Sequence, residues 1–361
     1  MPNFLIYGAN GYSGALIART AVARGHRPIL AGRNAKEVAA LAGELQLEHR
    51  CFTLTDAATV ARQLDGLAAV IHCAGPFAHT FEVMTNACLQ ARVHYLDITA
   101  EMVVFETLAA RSERAEQAGV MWLPGAGFDV VPSDCLAAHL KRRLPTANHL
   151  ALGFQVRSRV SRGTATTVVE NLGKGGLIRR DGVLTPVPTD WKTRTIDFGD
   201  GPVLSVSVPW GDVATAYHST GIPNIEVYMA FPKGIGLFAQ ASRWGNWLLR
   251  SAVFQFLAKK WIRTWLPGPT DTERATHHSQ FWGEATDADG QRVVSRLRGP
   301  EAYTLTAQTA VQCVEQVLAG KAPPGFQTPA KAYGPDFILD VAGIIREDVY
   351  EPRGGSLSPT R

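Results

Sequence analysis

The sequence predicts an α/β protein: an N-terminal doubly wound parallel sheet, then a second α/β domain containing a mixed or antiparallel sheet. Three observations lead there. Short apolar runs alternate with helix-patterned stretches through the first third of the chain. The first run ends in a glycine-rich turn that opens a helix. Beyond residue 150 the strand-like segments partly alternate apolar and polar side chains, as half-buried strands do.

In the first third, residues 4–7, 28–31, 51–54, 68–73, 95–98 and 120–123 read as strands. Their near-continuous apolar character fits a sheet covered on both faces. Residues 15–23, 35–47 and 83–91 carry apolar side chains at helical spacing between them. A basic cluster and a proline in LKRRLPTAN (140–148) break the pattern and mark a boundary. The expected organisation is a nucleotide-binding domain over 1–140, a substrate or dimerisation domain over 141–300, and a C-terminal helix with return to the first domain over 301–350. A flexible tail over 351–361 completes it. In the second half, residues 150–156, 203–208, 225–230 and 292–297 read as strands, and 181–202, rich in Gly, Pro and Asp, as a long excursion. Pro300 reads as the first helical residue of a helix over 301–319 that Gly320 ends.

The glycine turn carries the first functional expectation. Gly8, Ala9, Asn10, Gly11, Tyr12, Ser13 and Gly14 join the first strand to a helix. In this pattern the first glycine permits the turn, the second admits a pyrophosphate, and the third lets helix and strand pack closely. The helix N-terminus then offers free amides and a positive dipole end to phosphates. Where an NAD site places an acid, the second strand here ends in Arg33 and Asn34, with no carboxylate before Glu37. A guanidinium forms a forked pair with a 2′-phosphate, so the expected cofactor is NADP(H). Cys73, Ala74, Gly75 and Pro76 end the fourth strand, and Gly75 is placed to let the backbone pass the nicotinamide ribose.

The assembled motifs resemble the saccharopine dehydrogenase-like oxidoreductases, including members named trans-acting enoyl reductases. The stretches that carry the resemblance are YGANGYSG (7–14), AGRN (31–34), CAGPF (73–77), YLDITAE (95–101) and GFDVVPSD (127–134). SRGTATT (161–167), GPTDTER (268–274), GPEAYTLTA (299–307) and GFQTPA (325–330) extend it into the second half. The resemblance implies an NADP-binding Rossmann domain, an α/β second domain and hydride transfer, with Gly8, Gly11, Gly14, Arg33, Gly75 and Pro76 as cofactor contacts. It leaves the substrate open. A substrate with several carboxylates needs paired basic side chains, for which Arg157, Arg159, Arg162, Arg179 and Arg180 are available.

Hydride transfer also requires a proton for the developing anion or amine. Asp97, Glu101 and Asp129, at strand ends on the cofactor rim, are candidate donors, and Tyr303 is a fourth. Each has a structural alternative: Asp129 or Ser133 as a helix cap, Tyr303 as core. Cys73 reads as packing. His277 and His278 are adjacent, without metal-ligand spacing, so no metal is expected.

Composition narrows the rest. The 361 residues are 46% hydrophobic and 19% charged, which excludes a disordered chain and supplies two cores. A net charge of +4 gives no reason to expect a nucleic-acid partner. The five cysteines form no C-x-x-C pair and read as cytosolic thiols. The chain starts directly on a strand, and no apolar run approaches the ~20 residues of a membrane span. The expected location is therefore cytoplasmic.

One segment suggests a peripheral contact. Between Glu226 and Asp271 there is no acid, while Trp244, Trp247, Trp261 and Trp265 recur at helical spacing among six cations. Residues 238–266 thus match an amphipathic helix in a lipid headgroup layer, or one at a homodimer interface. The leading expectation is an NADPH-dependent reductase of a C=C, C=O or C=N bond in a small or lipid-linked substrate. The alternative is a non-catalytic, membrane-associated NADP-binding protein.

Overall fold

The computed structural model describes residues 3–171, 175–188, 191–230 and 268–349, with the isolated positions 251, 254, 258 and 261. Seven parallel strands form the first sheet: β1 (Asn3–Tyr7), β2 (Ile29–Gly32), β3 (His49–Cys51), β4 (Leu67–His72), β5 (His94–Asp97), β6 (Met121–Leu123) and β15 (Gly325–Phe326). Their order is β15-β6-β5-β4-β1-β2-β3. The order reverses between β1 and β4, the switch point where doubly wound sheets bind ligands.

Helices cover both faces: α1 (Tyr12–Ala23), α2 (Ala35–Leu45), α3 (Ala57–Leu64), α4 (Phe81–Ala91), α5 (Met102–Ala110) and α6 (Ser112–Ala118). Strand β1 accordingly buries four of its five residues, and β2 all four. One core includes Phe4, Ile6, Ile17 and Leu30, and the other Leu5, Tyr7, Val70 and Tyr95. The predicted strand at 51–54 forms earlier, at His49–Cys51, where it pairs with Leu30–Gly32.

Helix α7 (Val131–Arg143) runs into the predicted boundary and ends with Lys141, Arg142 and Arg143 in its last turn, where cations favour the helix dipole. Pro145 follows and the second sheet begins. It contains β7 (His149–Val156), β8 (Gly176–Arg180), β9 (Val183–Val187), β10 (Thr193–Asp197), β11 (Pro202–Ser207) and β12 (Asn224–Ala230), with β13 (His278–Thr286), β14 (Arg292–Pro300) and β16 (Ile345–Val349). Its path is β10-β11-β12-β7-β13-β14-β16, with β8 and β9 to one side. β12 and β7 pair in parallel and the other neighbours antiparallel, so the sheet is mixed. The stretch 181–202 is not a bare excursion: it contributes β9 and β10, the latter burying Ile196 against Gly153.

Helices α8 (Arg162–Asn171), α9 (Asp212–Thr220) and α10 (Asp271–Thr276) join these strands. Helix α11 (Ala302–Leu318) then packs on α1 and β4 of the first sheet, followed by β15 and α12 (Pro329–Tyr333). Pro300 does not open α11; it closes β14, opposite His278. The cap is Glu301, whose carboxylate accepts the amides of Tyr303 and Thr304. Gly320, at φ +79°, stops the helix as expected.

The tail from residue 351 lies outside the described residues, as does the acid-free segment 238–266 apart from its four isolated positions. Among the described residues, no helix is long and apolar enough to cross a membrane.

The tightest packing in the first sheet is at Gly14, where a Cβ would collide with the Gly8 carbonyl oxygen and come within 2.9 Å of the Ala9 Cα. Backbone cannot yield as a side-chain tip does. Gly14→Ala should therefore cost about 1–3 kcal/mol, the usual penalty of overpacking, read as a lowered urea midpoint.

Candidate active site at the carboxyl rim of the first sheet

The glycine turn is held from below. The Gly8 and Ala9 amides both bond the Ala31 carbonyl, at 2.8 and 3.1 Å, and the Gly11 amide bonds Gly8 O at 3.0 Å. Gly8 has φ +80°, and a Cβ on it would lie 2.9 Å from the Ala74 amide, so β4's end crosses directly beneath the turn. Gly11 is the N-cap of α1. No side chain caps the helix, and no acid stands in its first turn. This glycine cradle and uncapped helix end suit a pyrophosphate. Ala9 and Gly14 are buried, and the Ala9 amide bonds the Ala31 carbonyl, so both pack the turn against the sheet. Gly8, Asn10, Gly11, Tyr12 and Ser13 remain accessible at the turn.

At the end of β2, Arg33 is exposed. The Asn34 side chain is committed to α2 as its N-cap, accepting the Glu37 amide at 3.3 Å. Asn10 Nδ2 donates to Glu37 Oε2 at 2.7 Å, joining the glycine turn to that cap.

The other strand ends meet this edge. After β4, Cys73 bonds the Tyr7 carbonyl through its amide, and burial pushes its thiol pKa up. Ala74, Gly75 and Pro76 then lead into a 3₁₀ turn at Phe77–His79. Glu101 holds that turn, its two carboxylate oxygens accepting the amides of Phe77 and Ala78 at 2.8 Å each.

Asp97 is wholly buried. It accepts the Tyr95 hydroxyl at 2.6 Å, the Thr99 amide at 2.9 Å and the Gly125 amide at 2.8 Å. Its own carbonyl takes the Ala126 amide. It therefore ties the end of β5 to the loop after β6.

Tyr303 is 9% exposed; its phenol oxygen accepts the Ser161 amide at 2.5 Å, and its ring stands edge-on to Tyr12 at 5.0 Å. Three of the four candidate donors are thus engaged in holding the rim together.

Asp129 differs. It is half-buried, and no described residue hydrogen-bonds its carboxylate. Burial pushes its pKa up to about 7. Neither Asp129 nor Ser133 caps α7, whose N-cap is Val130. Ser133 instead donates to the buried Asp212 at 2.5 Å. Asp134, also buried, accepts the Ser219 hydroxyl and the Ala330 amide, fastening α9 and α12 to α7.

Arg179 is buried against Glu106, the Val213 carbonyl and the Tyr217 ring. Arg157 pairs with Asp200, Arg159 with Glu273, and Arg180 lies over Trp191. Cavities of about 210 and 330 Å³ are lined by no residue of the rim motifs. Among the described residues no group of His, Cys, Asp or Glu could hold a metal.

The sequence reading assigned no role to Arg274, whose guanidinium bonds the Tyr12 hydroxyl at 3.0 Å. They are 262 residues apart, and only the shared glycine-turn and GPTDTER motifs hinted at a link.

The topology and turn define an α/β protein of two sheets, the first carrying the glycine turn of a dinucleotide-binding fold. Residues 4–123 match the family model of the saccharopine dehydrogenase NADP binding domain, and NADP(H) is thereby the cofactor of this domain. Over 92% of its length, and 92% of the relative's, the chain is 23% identical to a probable mitochondrial saccharopine dehydrogenase-like oxidoreductase of Arabidopsis thaliana. It is 27% identical to a trans-acting enoyl reductase of Mycobacterium ulcerans, over 38% of this chain but only 35% of that one. The apo saccharopine dehydrogenase (L-Glu forming) of Saccharomyces cerevisiae shares the fold at 12% identity, with a TM-score of 0.68, 97% of this chain and 100% of that chain being covered. The resemblance read from the motifs is borne out.

Asp97→Ala leaves the Thr99 and Gly125 amides and the Tyr95 hydroxyl without their acceptor in a sealed site. It should cost about 1–3 kcal/mol in urea unfolding, the penalty of a buried unsatisfied group.

Proposed function

We propose that the protein is an NADPH-dependent reductase that transfers hydride to a C=C, C=O or C=N bond of a small or lipid-linked substrate, with Asp129 as the proton donor. The observation that carries the reading is the pairing of a matched NADP-binding domain with a carboxyl on the same rim that no described residue hydrogen-bonds. The relatives' names point to oxidoreductase chemistry, and the partial match to an enoyl reductase makes a C=C bond one candidate acceptor.

The residues divide the work. Gly8, Gly11 and the first turn of α1 would seat the pyrophosphate, and Arg33 the 2′-phosphate. Cys73, Ala74, Gly75 and Pro76 would pass beside the nicotinamide ribose, their course fixed by Glu101 through Phe77 and Ala78. Bound NADPH supplies the hydride. Asp129 supplies the proton: with its pKa near 7 a large fraction of the carboxyl is protonated at neutral pH, and among the described residues none hydrogen-bonds it.

Stopped-flow loss of NADPH absorbance across enoyl, keto and imine acceptors tests the reading. Tight NADPH binding without turnover of any acceptor would favour a non-catalytic nucleotide-binding protein instead. Arg33→Asp should shift preference from NADPH toward NADH by at least about tenfold in kcat/KM, since a carboxylate there repels the 2′-phosphate and accepts a ribose hydroxyl.

For reduction the acid must carry its proton. The rate should be flat below pH about 7 and fall about tenfold per pH unit above it. Asp129→Asn should lower kcat by roughly 10²–10⁴-fold and abolish that descending limb.

A further inference from the structure

We propose that Arg274 is a cofactor-binding residue: a guanidinium delivered by the segment 268–274 that grips the dinucleotide's pyrophosphate from outside the nucleotide-binding domain. The inference rests on the NADP reading above and adds to it a contact from the second half of the chain.

Tyr12 is the first helical residue of α1, at the helix end where phosphates are held. Its hydroxyl donates to the Pro269 carbonyl at 2.7 Å and accepts Arg274 Nη1 at 3.0 Å. Gly268 lies against the ring, so close that a Cβ there would be 2.6 Å from the nearest ring carbon. Segment 268–274 is thus seated on the residue that begins α1.

The segment is stiffened where it bears Arg274. A capping box opens α10: Thr270 Oγ1 accepts the Glu273 amide at 3.2 Å, and Glu273 Oε2 accepts the Thr270 amide at 2.8 Å.

The donor inventory leaves capacity for a ligand. A guanidinium has five N–H groups. Arg274 directs Nη1 to Tyr12 and to the Pro269 carbonyl at 3.3 Å, and Nη2 to Asp271 at 2.7 Å. The Nε–H and a second Nη2–H are uncommitted among the described residues. Asp271 is 95% exposed, a counterion that a phosphate displaces at little cost. Arg274 itself is 19% exposed, enough to meet a ligand. With no acid in the first turn of α1, cation and helix dipole attract the same anion.

Ligands that differ only in the pyrophosphate test the assignment. Binding of NADPH and of 2′-phospho-ADP-ribose, both of which contain it, is compared by fluorescence and calorimetry with binding of 2′-AMP, which does not. Arg274→Gln should weaken the first two by about tenfold to a hundredfold and leave 2′-AMP unchanged. Asp271→Asn, which keeps the guanidinium and frees it from its counterion, should tighten the first two severalfold, and it covers the case in which Arg274→Gln fails to fold. Unchanged pyrophosphate affinity in either variant, or equal loss for all three ligands, overturns the assignment while leaving the reductase reading in place. Failure of the unaltered protein to bind NADPH overturns both.

Discussion

The first turn of α1 rides directly over the Gly8 carbonyl, because Gly14 presents no side chain to it. The same residue, Gly8, lies almost in contact with the backbone at Ala74. Strands β1 and β4 and helix α1 therefore meet at a point where no Cβ fits. This exclusion of side chains shapes the rim: it brings the uncapped helix end, the close of β2 and the crossing strand β4 into one small region at the switch point of the sheet.

Around that point the polar groups hold each other. Asp97, Glu101 and Tyr303 look alike in sequence as candidates for chemistry, yet the structure uses each as an anchor. Asp97 binds two loop amides and a phenol, Glu101 fixes the turn after β4, and Glu301 accepts the Ser158 hydroxyl while capping α11. Anchors of this kind preorganise a cleft, because buried acceptors that lose a donor are costly. Asp129 differs from these anchors in that none of the described residues hydrogen-bonds its carboxylate.

The local parts of this arrangement were legible from sequence. β1, the glycine turn, α1 and Arg33 lie within thirty-three residues, so spacing alone carried them. The two-residue period of a strand even places Tyr95 and Asp97 on one face of β5, a signal for their bond that the sequence reading did not use. What stayed hidden depended on distant partners. Gly125 reaches Asp97 from 28 residues away, and Ser161 reaches Tyr303 from 142. Strands β9 and β10 were obscured because Gly, Pro and Asp in 181–202 resemble a loop, while pairing with β8 and β11 makes them strands. Pro300 looked like a helix start because proline suits that position, but β14 claimed it first.

Helix α11 closes the first sheet's outer layer from the far end of the chain. Its buried face includes Leu305, Ala310, Val311 and Val314, and Glu315 reaches back to Arg24 and His26. β15 adds the last strand beside β6. During synthesis, then, strands β1–β6 of the nucleotide-binding layer emerge before the second sheet but stand with α1 and β4 uncovered until residue 318 has followed. The chain then returns to the second sheet with β16, so the two sheets are interleaved and neither is complete before the other has largely formed.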